Sequence, residues 1–292
     1  MLKVGVIVLG ILPSGVKQII HRLSEEFSPS HQLVGIELDN RTGKASYTEL
    51  TDMSDSPYLS HSILKLSTAT QDTNWDEVLS PMDVTVIVGN AEAKVLWEKT
   101  IAENESAQTL FVPVSIYNNI KGNDWTLGYD TALNSVVQNV LKVKDTIHSL
   151  KYDKPRLFGF SIEGNPSTNM LQDIAIAVDG TYLAADYVKE DITVLCETIK
   201  DSYTYTKTSN VLIYKEGLQE VIEQSVISEL AVDWKYMEID EALCMGINPT
   251  ALDRILANEL AQGILLWINN SNLTAELVVQ KDGVIIKKIE LS

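Results

Sequence analysis

Asn118-Asn119-Ile120-Lys121-Gly122-Asn123-Asp124-Trp125-Thr126-Leu127-Gly128-Tyr129-Asp130-Thr131-Ala132-Leu133 decides how the rest of the chain is read. Its first half is turn chemistry: Gly122 and Gly128 supply backbone freedom, and Asp124 and Thr126 can hydrogen-bond nearby backbone. Its second half opens a helix. Leu133, Val136, Val137, Val140, Leu141, Val143 and Ile147 recur every three or four residues, which predicts a helix from Thr131 to about Leu150 with Asp130 as its N-cap. Upstream, Leu110-Phe111-Val112-Pro113 reads as a strand, so the stretch is the loop of a strand-loop-helix unit.

The same unit recurs on both sides. Val4 to Leu9 is a continuous β-branched run of the kind buried on both faces, followed by Gly10-Ile11-Leu12-Pro13-Ser14-Gly15 and a helix through Leu23. Gln32–Leu38 and Val84–Val88 are further strands, and Asp39-Asn40-Arg41-Thr42-Gly43 is a turn. Pro155 precedes a second set: a strand at Leu157–Ile162, a helix, a strand from Tyr182 to Ala185, a helix at Asp191–Lys200 and a strand at Asn210–Tyr214. Near the end, Ala275 to Lys287 folds about Lys281-Asp282-Gly283, a two-strand turn signal. Strands alternating with helices specify an α/β fold with largely parallel sheets.

Composition narrows the function. The chain has 292 residues, 45% of them hydrophobic, and a net charge of -17, which disfavours nucleic acid and any large phosphate-binding surface. Cys196 and Cys244 stand alone, without Cys or His at ligand spacing, and read as core residues of a reducing, cytoplasmic compartment. The apolar start at Val4 is read as a strand rather than a leader, and no stretch is long enough to cross a membrane. The Asn-x-Ser/Thr matches at Asn40, Asn104, Asn269 and Asn272 are then without consequence.

Two windows carry a resemblance. Gly122, Asp124, Thr126, Gly128, Asp130, Thr131 and Ala132 match without a gap the pattern G-T-D-x-T-x-G-x-D-T-A, and Pro249-Thr250-Ala251-Leu252-Asp253-Arg254-Ile255-Leu256-Ala257 matches P-T-A-x-D-R-x-L-A. The chain thus resembles the bacterial-type ATP-dependent 6-phosphofructokinases. The resemblance implies two three-layer α/β lobes: residues 1–128 with 244–292 as the equivalent of a nucleotide lobe, and 129–243 as that of a sugar-phosphate lobe.

The departures from the pattern fall on the chemistry. Where the family reads T-I-D-N-D, this chain reads Ser115-Ile116-Tyr117-Asn118-Asn119, so Tyr117 and Asn119 replace both catalytic-loop aspartates. The family's glycine-rich phosphate loop keeps Gly10, Pro13 and Gly15 but has Ile11 and Leu12 where a glycine and an aspartate are expected. A branched side chain at Ile11 obstructs close backbone approach to a phosphate. Gly89-Asn90-Ala91-Glu92-Ala93 stands for G-G-D-G-S, placing Asn90 or Ala91 at the magnesium-ATP aspartate. Glu92 is either a substitute oxygen ligand or a residue complementing a helix dipole. The nucleotide-binding arginine has no counterpart; Lys65 is the nearby cation. The histidine and arginine that hold the sugar phosphate fall on Ala242 and Met245, and the arginine lent by a neighbouring subunit falls on Tyr236, beside Lys235. Asp240 and Glu241 add negative charge, Glu216-Gly217 keeps a sugar-contacting glutamate, and Arg254 belongs to the helix.

These substitutions point first to a catalytically inactive homologue acting as a regulatory, scaffolding or ligand-sensing subunit, self-associated as a dimer or tetramer or paired with an active phosphofructokinase. A second reading is residual or altered phosphotransfer to a sugar phosphate, with Asp124 or Glu92 in new roles and Mg-ATP as cofactor. A third is a cleft module for a small uncharged or cationic ligand. Tyr117, at a phenol's ordinary acidity, is a poor general base at neutral pH.

Overall fold

The computed structural model describes residues 1–10, 13–27, 31–39, 41–50, 64, 67–69, 73–103, 108–148, 153–184, 186–203, 209–270 and 273–289. In chain order the first part holds β1 (Leu2–Leu9), α1 (Val16–Phe27), β2 (His31–Leu38), β3 (Ala45–Glu49), α2 (Trp75–Leu79), β4 (Val84–Gly89), α3 (Ala91–Glu103) and β5 (Thr109–Pro113). Then come α4 (Tyr129–His148), β6 (Arg156–Ile162), α5 (Thr168–Ala177), β7 (Thr181–Tyr182), α6 (Lys189–Ser202) and β8 (Ser209–Lys215). A short α7 (Gln219–Val221) runs on through a π turn and a 3₁₀ turn to Glu229, before β9 (Asp233–Ile239) and α8 (Glu241–Met245). The chain finishes with α9 (Ala251–Asn270) and the hairpin β10 (Ala275–Gln280) and β11 (Gly283–Lys288).

These elements form two units: residues 1–115, 120–129 and 247–292, and residues 116–119 with 130–246. The first is built on a seven-stranded sheet, order β11-β10-β5-β4-β1-β2-β3, parallel except for its outermost strands β3 and β11. Its central strands are apolar throughout because both faces are covered. Val4, Val6 and Val8 of β1 and Val84, Val86 and Val88 of β4 face α1 and α9 in one core. Ile7 and Leu9, one residue out of phase, join Ile87, Phe111 and Trp97 in the other. That period of two is how a continuous hydrophobic run serves two layers of helices. Trp97 stacks on Phe111 at 5.2 Å and its indole N–H donates to Thr109 Oγ1 at 2.9 Å.

The second unit carries a four-stranded parallel sheet, order β7-β8-β6-β9. Leu157, Leu212 and Tyr214 pack against Leu195, Cys196 and Ile199 of α6 in one core. Expectation and structure differ in places. Asp130 lies in the first turn of α4, which begins at Tyr129, so it is not the cap. Leu141 is exposed, while Val136, Val140 and Ile147 form the buried stripe. β7 has two residues, ending at Tyr182. The segments α7, β9 and α8 have no counterpart in the sequence reading.

Candidate functional site

In the first unit the decisive loop is held by its own functional groups. Ser115 N–H donates to Leu127 O at 3.0 Å, and Thr126 Oγ1 donates back to Ser115 O at 2.6 Å. Gly122 and Gly128 adopt φ of +90° and +102°, where a side chain would be strained. Asp124 also reaches far along the chain: its Oδ2 accepts from Lys281 N–H at 2.8 Å in the β10–β11 turn, 157 residues away. Beside it, Asn123 Oδ1 accepts from Val279 N–H at 2.8 Å. Gly128 N–H donates to Asp253 Oδ1 at 2.8 Å, and Asp253 is only 2% exposed. The two windows that carry the family pattern therefore meet through a buried, charge-assisted hydrogen bond. Thr250 Oγ1 accepts from Asp253 N–H at 3.3 Å, and Arg254 Nε donates to Pro249 O at 3.0 Å, so the second window is the start of α9 tied to itself.

The loops after β1 and β4 are likewise used structurally. Asn90 Oδ1 accepts from Ala93 N–H at 3.0 Å, an N-cap bond on α3, and its Nδ2 donates to Glu92 Oε2 at 2.5 Å. Glu92 sits in the first turn of that helix, as dipole complementarity requires. Gly10 has φ of +83°, and a Cβ there would lie 2.3 Å from Asn90 Oδ1. A Cβ on Gly15 would lie 2.8 Å from Leu127 Cδ1, and one on Gly89 2.5 Å from Ala93 Cβ. Backbone conformation at Gly10 and close packing at Gly15 and Gly89 thus favour glycine without any bound phosphate. Ile11, Leu12 and Lys65 lie outside the described residues.

In the second unit the carboxyl ends of β6, β8 and β9 gather Glu163, Lys215, Glu216, Asp240 and Glu241 with the segment Tyr117-Asn118-Asn119. This is the end of a parallel sheet where ligands bind in open α/β folds. Tyr117 is 7% exposed, and its hydroxyl donates to Glu241 Oε1 at 3.4 Å. Burial, then the charge of Glu241, raises its pKa far above the ordinary phenol value, so the hydroxyl keeps its proton. Gly164, at φ of +83°, makes room for it: a Cβ there would lie 2.3 Å from the Tyr117 hydroxyl oxygen. Glu216, exposed, accepts from Gly164 N–H at 3.2 Å, and Glu163 Oε2 accepts from Glu241 N–H at 2.9 Å. Asn119 Nδ2 donates to Asn165 O at 3.1 Å, and Lys215 Nζ to Asn165 Oδ1 at 2.8 Å. Sequence gives no sign of the Lys215–Asn165 pair, since the two residues lie 50 apart at different strand ends.

The positions aligned with the family's sugar-phosphate histidine and arginines carry no cation. Ala242 is exposed and Met245 half-buried on α8, and Asp240 caps that helix by accepting from Leu243 N–H at 2.8 Å. Tyr236 is exposed and stacks on Trp234 at 6.3 Å; Lys235 beside it is also exposed. The chain has four arginines. Arg22 pairs with Glu26 at 2.9 Å on α1, Arg41 lies in the β2–β3 turn, and Arg254 is on α9. Arg156 pairs with Asp233 at the amino end of β6, roughly 20 Å of strand from Glu163. Cys244, fully buried on α8, has its thiol pushed up to about 12 by burial and then by Asp240 and Glu241. Among the described residues no group of three or more His, Cys, Asp and Glu is placed to hold a metal ion.

A seven-stranded sheet, parallel but for its outermost strands and covered by the returning helix α9, with the two motif windows joined through Gly128 and Asp253, defines a phosphofructokinase-type α/β protein. The Phosphofructokinase family model matches residues 80–268, and the chain belongs to that family. It is 28% identical over 185 residues to the ATP-dependent 6-phosphofructokinase of Staphylococcus carnosus, covering 61% of this chain and 55% of that protein. With the enzyme of the same name from Oceanobacillus iheyensis it shares 29% over 161 residues, 54% of this chain and 49% of that protein. The chain spans about half the length of these curated relatives. The fold agrees with the phosphofructokinase of Saccharomyces cerevisiae at a TM-score of 0.77 and 16% identity, covering 98% of this chain and 43% of that one. It agrees with the pyrophosphate-dependent phosphofructokinase of Marinobacter aquaeolei at 0.75 and 10%, covering 99% and 83%.

Proposed function

We propose that this chain is a catalytically inactive member of the phosphofructokinase family, serving as a regulatory, scaffolding or ligand-sensing subunit that self-associates or pairs with an active phosphofructokinase. One observation carries the reading: the groups that survive from the family pattern are spent on the fold. Asp124 accepts from Lys281 N–H and Asp253 from Gly128 N–H, while Asn90, which stands at or beside the family's magnesium aspartate, caps α3. The position of the general base is a buried tyrosine hydroxyl donating to Glu241, a group that holds its proton rather than taking one. In phosphoryl transfer the protein works through placed charge and metal ions. The carboxyl end of the second sheet is acidic, and Arg156, the one arginine in that unit's sequence, pairs with Asp233 at the sheet's amino end rather than offering the usual fork for a phosphate.

The competing reading, ATP-dependent phosphotransfer to a sugar phosphate, is favoured by the similarity to the Staphylococcus and Oceanobacillus enzymes. A thermal-shift titration separates the two. A ligand at 100 times its dissociation constant stabilises the fold by about 2.7 kcal/mol. Magnesium-ATP, magnesium-ADP and fructose 6-phosphate are each expected to leave the transition where it is. A saturable shift with magnesium nucleotide, followed by turnover, would establish the enzyme reading instead.

A further inference from the structure

At the β7 edge of the second unit lies a groove of ≈ 430 Å³, with α5 on one wall, α6 on the other and residues 180–184 along its floor. Its volume is that of a binding site, about 300–1,000 Å³ being usual. Two of its aliphatic side chains are left in water: Ile176 on α5 is 67% exposed and Val194 on α6 is 60% exposed. They belong to opposite faces of the sheet. α6 packs in the core that contains Leu212 and Tyr214, whereas the buried residues of α5 are not part of it. Right-handed connections that step out from β6 to β7 and back to β8 place the two helices in that way.

The floor is a sheet edge. Among the described residues β7 pairs with β8 alone and ends the strand order. Leu183 N–H donates to Ile213 O at 2.9 Å, so the alternation of a strand turns the N–H and C=O of Tyr182 away from β8 and toward the groove. Such a row of backbone groups is a template for another strand. A strand added there would run between the helices, its alternate side chains meeting Ile176 on one side and Val194 on the other. The surroundings are acidic: residues 168–202 contain seven Asp and Glu against two Lys.

We propose that this groove is a docking site for an extended segment of a protein partner, added as a strand to β7, with aliphatic residues at alternate positions and flanking lysines or arginines. Backbone pairing and alternate pockets provide the binding, as in other strand-addition sites, and the basic flanks answer Asp191 in the lining and the acidic balance of residues 168–202. The assignment does not depend on whether the chain transfers phosphate.

The test is selection from a random twelve-residue peptide library displayed against the whole chain, with counter-selection on an Ile176→Glu/Val194→Glu double variant. Both positions face water, so the variant is expected to keep the wild-type melting temperature. Selected peptides are expected to alternate aliphatic residues, to carry basic flanks, to bind the variant at least tenfold more weakly, and to slow amide exchange at Tyr182 tenfold or more. Peptides that read with a helical period, acidic peptides, or a library yielding none that discriminates the variant would each overturn the proposal. So would concentration-dependent self-association abolished by the double variant, which would make the occupant a second copy of this chain.

Discussion

Replacing Asp253 with Ala tests whether the two family windows survive for the fold. The substitution removes a charge-assisted hydrogen bond, worth about 1.5–3 kcal/mol, and leaves Gly128 N–H without its acceptor in a buried place, about 1–3 kcal/mol when counted alone. The two figures describe overlapping losses, so Asp253→Ala is expected to cost about 2–4 kcal/mol. Asp253→Asn keeps an acceptor oxygen of the same shape and is expected to cost about 1 kcal/mol. Asp124→Ala, at an exposed acceptor for Lys281 N–H, is expected to cost about 0.5–1 kcal/mol. Urea unfolding followed by the fluorescence of Trp267 reads the result, because that indole is fully buried on the same helix as Asp253. With a slope of about 3 kcal/mol per molar urea, Asp253→Ala shifts the midpoint down by roughly 1 M. If Asp253→Ala stays within about 0.5 kcal/mol of wild type, or if Asp124→Ala costs more, the carboxylates are not kept for the fold and the structural reading of both windows fails.

Four further outcomes follow from the same geometry. Glu276, 4% exposed, receives Lys94 and, at 3.0 Å, Lys287; Glu276→Ala leaves the largely buried Lys94 with only the exposed Glu98 at 4.0 Å as an ion-pair partner among the described residues, and is expected to destabilise by about 2–4 kcal/mol in denaturant melts. Asn90→Ala removes the α3 cap and should cost about 1 kcal/mol, while Asn90→Asp keeps the cap and is expected to leave magnesium-ATP still without a thermal shift. Because the Cys244 thiol is raised to about 12, the native state keeps a proton that the unfolded chain has released from about pH 9 upward. Stability therefore falls by about 1.4 kcal/mol per pH unit across that window on this account, and Cys244→Ala, compared at pH 8 and 10.5, should flatten the slope. Tyr117→Asp with Asn119→Asp is expected to give no turnover of fructose 6-phosphate and a less stable protein, since the new carboxylate at 117 lands beside Glu241; measurable turnover would contradict the reading of the sugar site.

What could be read from sequence follows from burial. β1, β4, β6 and β8 are central strands with covered faces, so their apolar runs announce them. β9 is an edge strand whose residues Lys235 to Glu238 are all exposed, and Asp-Trp-Lys-Tyr-Met-Glu-Ile carries no clear period. α8, at five residues, is too short for a helical stripe to register. The motif windows were legible as family pattern, but not the bonds that explain them: Gly128 to Asp253 and Asp124 to Lys281 span 125 and 157 residues, and nothing local encodes either. Asn90 does carry a local signal, an asparagine directly before a helix, which marks the α3 cap that the family alignment alone does not show. Asp130 was assigned the cap of α4 on residue type alone, one turn chemistry being mistaken for another when the helix begins a residue earlier.

The first unit is interrupted in the chain: its strands β1 to β5 precede residues 130–246, while α9, which packs on α1, follows them. During synthesis at roughly 5–20 residues per second, the apolar flank of α1 waits on the order of ten seconds for its covering helix. Through that interval Val16, Ile20 and Leu23 have no Leu260 or Ile264 to bury them. A ribosome that stalls between the two halves of this unit releases a chain with an adhesive helix and an unfinished sheet, so cellular yield should depend on elongation rate and on chaperone supply as much as on the stability of the finished protein.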